Sequence, residues 1–183
     1  TAKEFADRFY EVHGRYQGQA ALHLDHTKDM DIIKAAIDAG FQSVMIDASQ
    51  KSFEDNIAIT REEVEYAHAK NVEVEAELGK IGATDKIETD NDESLYTDPA
   101  EAEEFVAKTG VDTLAVSIGT AHGVYPVKNP KIDLERLAQI RKRVSIPLVL
   151  HGGSGLPPET VQAAITIPGG GVSKINIATD LEQ

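Results

Sequence analysis

The chain has 183 residues, a formal net charge of −13 and no cysteine. The negative charge argues against a nucleic-acid partner, because phosphates would be repelled and no run of Lys or Arg offers a local exception. The lack of cysteine excludes disulfides and thiolate metal sites. No apolar run reaches the ~18 residues of a membrane span and the first residues lack the apolar stretch of a signal peptide, so we expect a cytoplasmic protein with no membrane partner.

Helices and strands are predicted to alternate along the whole chain. Apolar residues recur at helical spacing near the N-terminus, and short apolar runs then mark the strands. Strands are predicted over 20–25, 43–47, 72–78, 113–118, 146–150 and 173–177. Helices are predicted over 1–16, 30–39, 53–70, 99–109, 134–144 and 158–165. This alternation predicts an α/β protein with a parallel sheet, either closed into a barrel or open and doubly wound.

The distribution of polar residues favours the barrel. They follow the carboxyl ends of four or more strands, whereas an open sheet would concentrate them at one switch point. A (β/α)₈ TIM barrel usually has eight strands and ~250 residues. The chain shows six predicted strands and opens in a helix, so we expect one barrel domain over residues 1–183 with its first two strands absent from the chain.

Three of the strand segments end in a histidine, namely His26, His122 and His151. Imidazoles that meet at one end of a parallel sheet indicate a metal site, and Asp25 beside the first histidine indicates a proton carrier. Because neighbouring residues of a strand point to opposite faces, we expect His26 to lie just past the strand, where the backbone turns. For Asp47, a site role and a hydrogen bond to a loop both stay open.

Glycine and serine follow the strand at 146–150. Gly152, Gly153, Ser154 and Gly155 stand directly before a predicted helix that starts near Pro158. Glycines allow backbone N–H groups to approach an oxyanion closely, and the Ser154 hydroxyl adds a donor. In this setting the run predicts a phosphate cradle rather than a linker.

Six segments, in order along the chain, resemble the class II, zinc-dependent ketose-bisphosphate aldolases. They are LHLDH at 22–26, SVMID at 43–47, VEAELG at 74–79, IGTAHG at 118–123, LHGGSG at 150–155 and KINIATD at 174–180. The runs ESLYTDP at 93–99 and NIAT at 176–179 are closer to the tagatose-bisphosphate branch than to the fructose-bisphosphate branch. The family fold is a TIM barrel, of which this chain would supply strands three to eight.

The resemblance implies a catalytic Zn²⁺ ion bound by His26, His122 and His151, with Glu77 associated with the metal in some states. Three protein ligands leave a coordination position open for substrate, as a catalytic zinc needs. The family also allows a monovalent cation as a second cofactor.

The resemblance implies roles for carboxylates and for a substrate-binding set as well. Asp25 would take the proton from the C4 hydroxyl in cleavage and return it in condensation. Asp85 is the nearest carboxylate to the family position that serves C3. The implied substrate and phosphate contacts are Gly123, Gly152, Gly153, Ser154, Asn176 and Thr179.

The implied activity is the reversible cleavage of a ketose 1,6-bisphosphate, of tagatose or fructose type, to dihydroxyacetone phosphate and glyceraldehyde 3-phosphate. This would place the protein in carbohydrate metabolism such as glycolysis, as a homodimer or homotetramer. Two alternatives stay open. One is a metal-dependent phosphosugar isomerase or epimerase on the same barrel, and the other is a truncated paralogue that binds without catalysis.

Overall fold

The computed structural model of the protein describes residues 1–16, 18–83, 95–123, 125 and 131–181. The chain divides into two compact units. The first comprises Thr1–Ala76 with Lys108–Asp112, and the second comprises Glu77–Ala107 with Thr113–Gln183.

The first unit is a run of helices and parallel strands. Its elements are α1 (Ala2–His13), β1 (His23–Thr27), α2 (Met30–Ala39), β2 (Ser43–Ile46), α3 (Phe53–His68) and β3 (Glu73–Leu78), whose last residues belong to the second unit. Strand β1 pairs with β2, and β2 pairs with β3, in parallel. Parallel pairing of successive strands requires a crossover, which α2 and α3 provide.

Local sequence sets the helix ends of this unit. Thr1 and Glu4 form a capping box at the start of α1. The side chains of Asp29 and Ser52 accept hydrogen bonds from backbone N–H groups in the first turns of α2 and α3. Each such cap contributes about 1 kcal/mol. Gly40 ends α2 in the left-handed region, with a φ of 97°.

Helix α2 and strand β2 supply part of the core of the first unit. Ile33, Ala36 and Ile37 form the buried face of α2, and Val44 and Met45 in β2 are fully buried. Burying a side chain of isoleucine or methionine size stabilises the fold by roughly 1.5–3 kcal/mol relative to exposure. The last three residues of β2 are apolar and buried, as expected for a strand of a parallel sheet whose two faces are both covered.

The second unit continues the same alternation. Its elements are β4 (Gly82–Ala83), α4 (Pro99–Thr109, ending in the first unit), β5 (Thr113–Val116), β6 (Ala121–His122), α5 (Leu134–Arg143), β7 (Leu148–Leu150), α6 (Pro158–Thr166), β8 (Val172–Ile175) and a 3₁₀ helix (Thr179–Leu181). The pairs β5–β7, β7–β8 and β4–β6 are all parallel. None of the helices in the described part of the chain has the length and apolarity of a membrane span.

One predicted boundary is wrong in a way that affects the site. Strand β1 was expected to end at Asp25, with His26 beyond it, but β1 continues to Thr27 and contains His26. The pairing with β2 shifts register between Leu24 and Thr27, and His26 has a φ of 44°. A left-handed residue inside the strand interrupts the alternation of side chains, so the expected turn occurs within the strand instead of after it.

Candidate metal and substrate site

Three side chains with metal-binding atoms meet in the second unit. Glu77 lies near the end of β3, His122 ends β6, and His151 directly follows β7. Their ligand atoms lie within 4.8 Å of one another. Nδ1 of His151 is 3.2 Å from Oε2 of Glu77, and the ring centroids of His122 and His151 are 5.7 Å apart. The structure therefore brings together three of the four predicted metal residues in this unit.

Burial makes this group suited to a cation. His151 is 0% and Glu77 is 2% exposed. Removing a carboxylate from water is costly unless charge or hydrogen bonds compensate it, and a divalent ion supplies that compensation directly. Two imidazoles and a carboxylate are nitrogen and oxygen donors of the kind that Zn²⁺ accepts. The residues present therefore fit a divalent metal ion such as zinc.

The fourth predicted ligand, His26, lies in the first unit and is oriented there by Asp47. Nδ1 of His26 is 3.1 Å from Oδ2 of Asp47. The other oxygen of Asp47 accepts hydrogen bonds from the backbone N–H and the hydroxyl of Ser49, at 3.1 and 2.7 Å. Because a carboxylate accepts, Nδ1 of His26 carries the proton, and Nε2 then has the lone pair that a metal requires.

The pKa of Asp47 matches this role. Burial alone would raise the pKa of this carboxyl, but hydrogen bonds from His26 and Ser49 outweigh burial and hold the pKa well below its ordinary value. Asp47 is therefore ionised at neutral pH and accepts both hydrogen bonds. The sequence left the role of Asp47 open. The signal that pointed to it was its place directly after an apolar strand, at the edge where the site residues were predicted.

Asp25, the predicted proton carrier, also lies in the first unit. Its side chain is 47% exposed, and Nε2 of His23 is 3.6 Å from its Oδ1. The ligand atoms of His23, Asp25 and the buried Glu75 lie within 4.8 Å of one another. Nδ1 of His23 is 2.8 Å from the Ser43 hydroxyl oxygen. Asp25 therefore stands among polar groups and keeps access to solvent.

Close packing requires glycine at the first two positions of the predicted phosphate cradle, Gly152 and Gly153. A Cβ atom on Gly152 would lie 2.3 Å from the carbonyl oxygen of Ala121, and Gly152 has a φ of 67°. A Cβ atom on Gly153 would lie 2.5 Å from Cγ2 of Ile175. No larger residue fits at either place without displacing a neighbouring backbone or strand.

The cradle is hydrogen-bonded to the segment after β8. The N–H of Gly153 donates to the carbonyl of Asn176 at 2.9 Å. The Ser154 hydroxyl oxygen accepts from the backbone N–H groups of Ala178 and Asp180, at 3.1 and 3.3 Å. The Ser154 hydroxyl hydrogen can still donate a hydrogen bond, because both of these bonds use the oxygen as acceptor.

Thr179 and Gly123 are two further predicted substrate contacts. Thr179 begins the 3₁₀ helix, and Gly123 follows His122 with a φ of 108°. The N–H of Gly155 donates to a carboxylate oxygen of Asp180 at 3.0 Å, a contact that the sequence did not predict. Asp85 lies outside the described residues.

The chain is similar to known proteins of one family. The model of the class-II fructose-bisphosphate aldolase family matches residues 2–183. The YdjI aldolase from Escherichia coli K12 has a similar structure, with a TM-score of 0.84, 39% sequence identity and coverage of 99% of this chain and 62% of that chain. A putative fructose-1,6-bisphosphate aldolase from Coccidioides immitis matches with a TM-score of 0.81, 37% identity and coverage of 95% and 61%.

A third similar structure is the fructose-bisphosphate aldolase of Campylobacter jejuni, with a TM-score of 0.79, 30% identity and coverage of 99% of this chain and 58% of that chain. The chain thus spans about three fifths of the length of these three proteins. The likeness to YdjI over almost the whole chain confirms the predicted fold class, part of a TIM barrel. The chain belongs to the class-II fructose-bisphosphate aldolase family.

Proposed function

We propose that this protein is a zinc-dependent aldolase that reversibly cleaves a ketose 1,6-bisphosphate to dihydroxyacetone phosphate and glyceraldehyde 3-phosphate. The observation that carries the proposal is the group of Glu77, His122 and His151, of which Glu77 and His151 are buried, in a chain of the class-II aldolase family. A buried carboxylate beside two imidazoles is the arrangement expected of a site that holds a cation.

The proposed metal ligands are His26, His122 and His151, with Glu77 as a further donor. The hydrogen bond between His26 and Asp47 supports the first of these, since metal-binding histidines commonly donate their other ring N–H to a carboxylate. When bound, the zinc ion supplies Lewis acidity to the carbonyl side of the substrate.

Asp25 is the proposed proton carrier for the C4 hydroxyl. In cleavage the C3–C4 bond breaks, its electron pair stays with C3, and the hydroxyl proton passes to the Asp25 carboxylate as the C4 carbonyl forms. The exposed Asp25 side chain is accessible to a substrate from solvent. We propose Asp85 as the group that delivers a proton to C3, which completes dihydroxyacetone phosphate.

The proposed phosphate contacts are Gly152, Gly153, Ser154, Asn176 and Thr179, with Gly123 after the second histidine. Their support is the packing that requires glycine at 152 and 153 and the Ser154 hydroxyl, whose hydrogen can still donate. The N–H of Gly153 already donates to the Asn176 carbonyl, so Gly153 would offer close approach and not this donor. Helix α6, which begins at Pro158, adds the positive end of its dipole to the same loop.

Cleavage of a panel of ketose phosphates, followed by coupled detection of dihydroxyacetone phosphate, tests the proposal and separates the sugars. We expect a tagatose- or fructose-type 1,6-bisphosphate to be cleaved. Asp25→Asn should lower cleavage by about 10²–10⁴-fold, the usual contribution of a general base, with bound zinc unchanged.

If the zinc-loaded protein releases no triose phosphate from any of the sugars, the aldolase proposal is refuted. Exchange of a substrate C–H proton without release of triose phosphate would instead indicate the isomerase or epimerase. Failure to bind zinc at all would indicate a binding protein without catalysis.

We also propose that the protein acts in the cytoplasm as a homodimer or homotetramer on a small phosphosugar. The family of phosphosugar aldolases supports the substrate class. Light scattering coupled to size-exclusion chromatography measures the mass in solution. A mass equal to one chain across micromolar concentrations would reject the oligomer.

A further inference from the structure

Tyr125 forms a hydrogen-bonded bridge between two backbone segments of the second unit. Its hydroxyl oxygen accepts from the N–H of Ala121 at 2.9 Å. The same hydroxyl donates to the carbonyl oxygen of Gly152 at 2.8 Å. One hydroxyl therefore serves as both acceptor and donor, and it joins Ala121 to Gly152, which lies 27 positions after Tyr125 in the chain.

The two joined residues are direct neighbours of the two histidines. Ala121 precedes His122 in β6, and Gly152 follows His151 after β7. The segments also touch directly, since a Cβ atom on Gly152 would lie 2.3 Å from the Ala121 carbonyl oxygen. A change in the spacing of these backbones would therefore change the spacing of the two imidazoles.

The Tyr125 hydroxyl stays protonated in this setting. Burial raises the pKa of the phenol above its ordinary value, although the N–H of Ala121 acts in the opposite direction. At neutral pH the group therefore keeps the hydrogen that it donates to Gly152. The aromatic ring packs near Gly155, where an added Cβ atom would lie 3.7 Å from Cδ2 of Tyr125. Replacement by phenylalanine would retain the ring and remove only the bridge.

We propose that Tyr125 is a positioning residue, whose hydroxyl holds the backbones of His122 and His151 at the separation that the metal requires. This inference rests on the metal-binding part of the proposed function. Tyr125 does not itself ligate the metal in this account. It acts through the two histidines, as the outer partners of metal ligands do.

Metal affinity of purified protein, measured by competition with a chromophoric chelator, tests the inference. Tyr125→Phe should bind Zn²⁺ about 10–100-fold more weakly, the usual cost of losing an outer partner of metal ligands. The absorption spectrum of the Co²⁺-loaded variant should also differ from that of the parent protein, because ligand geometry determines the spectrum.

Tyr10→Phe is the matched control. The Tyr10 hydroxyl also donates to a backbone carbonyl, that of Gly40 at 2.6 Å, but it lies in the first unit at the end of α2. This variant loses the same type of hydrogen bond, but Gly40 is not a sequence neighbour of a proposed metal ligand. Its affinity for Zn²⁺ and its Co²⁺ spectrum should therefore remain those of the parent.

The outcomes separate the inference from the proposed function. If the parent protein and Tyr125→Phe bind Zn²⁺ equally and give the same Co²⁺ spectrum, the positioning role is wrong while the metal site stands. If the parent protein takes up no metal, the proposed function and the inference fail together. If Tyr125→Phe does not fold, hydrogen exchange of the Ala121 amide in the parent protein decides. If the Tyr125 bridge is present, the Ala121 amide hydrogen exchanges slowly, and more slowly still when zinc is bound. Exchange of this amide at the rate of an unprotected peptide would overturn the inference.

Discussion

The two units of the molecule orient their proposed site residues by different means. In the first unit, His26 lies at a left-handed position within β1 and is held by the carboxylate of Asp47. In the second unit, His122 and His151 are held through their backbones, by close glycine packing and by the Tyr125 hydroxyl. An imidazole lies beside a carboxylate in both units, His26 beside Asp47 and His151 beside Glu77, and the second unit adds the backbone contacts.

The units also differ in how far they expose their chemistry. His151 and Glu77 in the second unit are almost completely buried, whereas Asp25 in the first unit is about half exposed. Burial strengthens the interaction of a ligand with a metal, and exposure gives a proton carrier access to substrate. The strongest effects on metal binding are therefore expected from the two most deeply buried residues of the second unit, His151 and Glu77.

The largest effect is expected from His151→Ala, which removes a buried ligand of the second unit. We expect the loss of tight zinc binding and a fall in cleavage on the order of 10³-fold or more, because a Lewis acid supplies several kcal/mol of stabilisation. Elemental analysis of purified protein and the coupled assay measure both. His68→Ala is the control, since His68 pairs with Asp112 in the first unit. Retention of parent zinc content by His151→Ala would remove this histidine from the site.

An intermediate effect is expected from Asp47→Asn in the first unit. The shape of the side chain is conserved, but the charge-assisted hydrogen bond to His26 is lost, so zinc affinity should fall about 10–100-fold. Chelator competition measures the change. Asp112→Asn is the matched control, because Asp112 accepts a hydrogen bond from His68 in the same unit at 2.8 Å. Equal affinities in the two variants would show that His26 needs no such support.

The smallest effect concerns a buried carboxyl in α3. Glu63 in α3 is 0% exposed, and neither of its carboxylate oxygens has a hydrogen-bond partner among the described residues. Burial raises its pKa from 4.5 to about 8, and the nearby backbone of Ile46 offsets burial only in part. This acid is therefore expected to be neutral at pH 7.

The sign of the pH effect follows from the raised pKa. The folded state keeps its proton between pH 4.5 and about 8 while the unfolded state loses it, so the contribution of Glu63 to stability decreases across that window. Between pH 7 and 9 the free energy of unfolding should fall by about 1 kcal/mol more in the parent protein than in Glu63→Gln. Urea denaturation at several pH values measures the difference. Parallel pH profiles for the two proteins would contradict the buried-acid account.

Local signals in the sequence predicted much of the fold. Helices α2 and α4 begin and end at the predicted residues, because Asp29 and Gly40 cap the first and Pro99 starts the second. The short strands β4 and β6 were not predicted, since two residues show no period. The place of His26 inside β1 was also missed, because regular alternation assumes that every strand residue has extended backbone.

The contacts of the site were harder to predict than its residues. The sequence motifs pointed to Glu77, His122 and His151, which the structure brings together. The bridge of Tyr125 to Gly152 and the bond of Gly155 to Asp180 link residues 27 and 25 positions apart. Such pairings depend on tertiary packing that no local pattern encodes.

The most direct test of the central claim is the rate of dihydroxyacetone phosphate release from a ketose 1,6-bisphosphate as a function of bound zinc. Metal is first removed by a chelator and then returned in measured amounts. The account predicts no release from the metal-free protein and a rate that rises in proportion to bound Zn²⁺ until a single equivalent is reached. A rate that does not depend on bound metal, or no release from fully loaded protein, would contradict it.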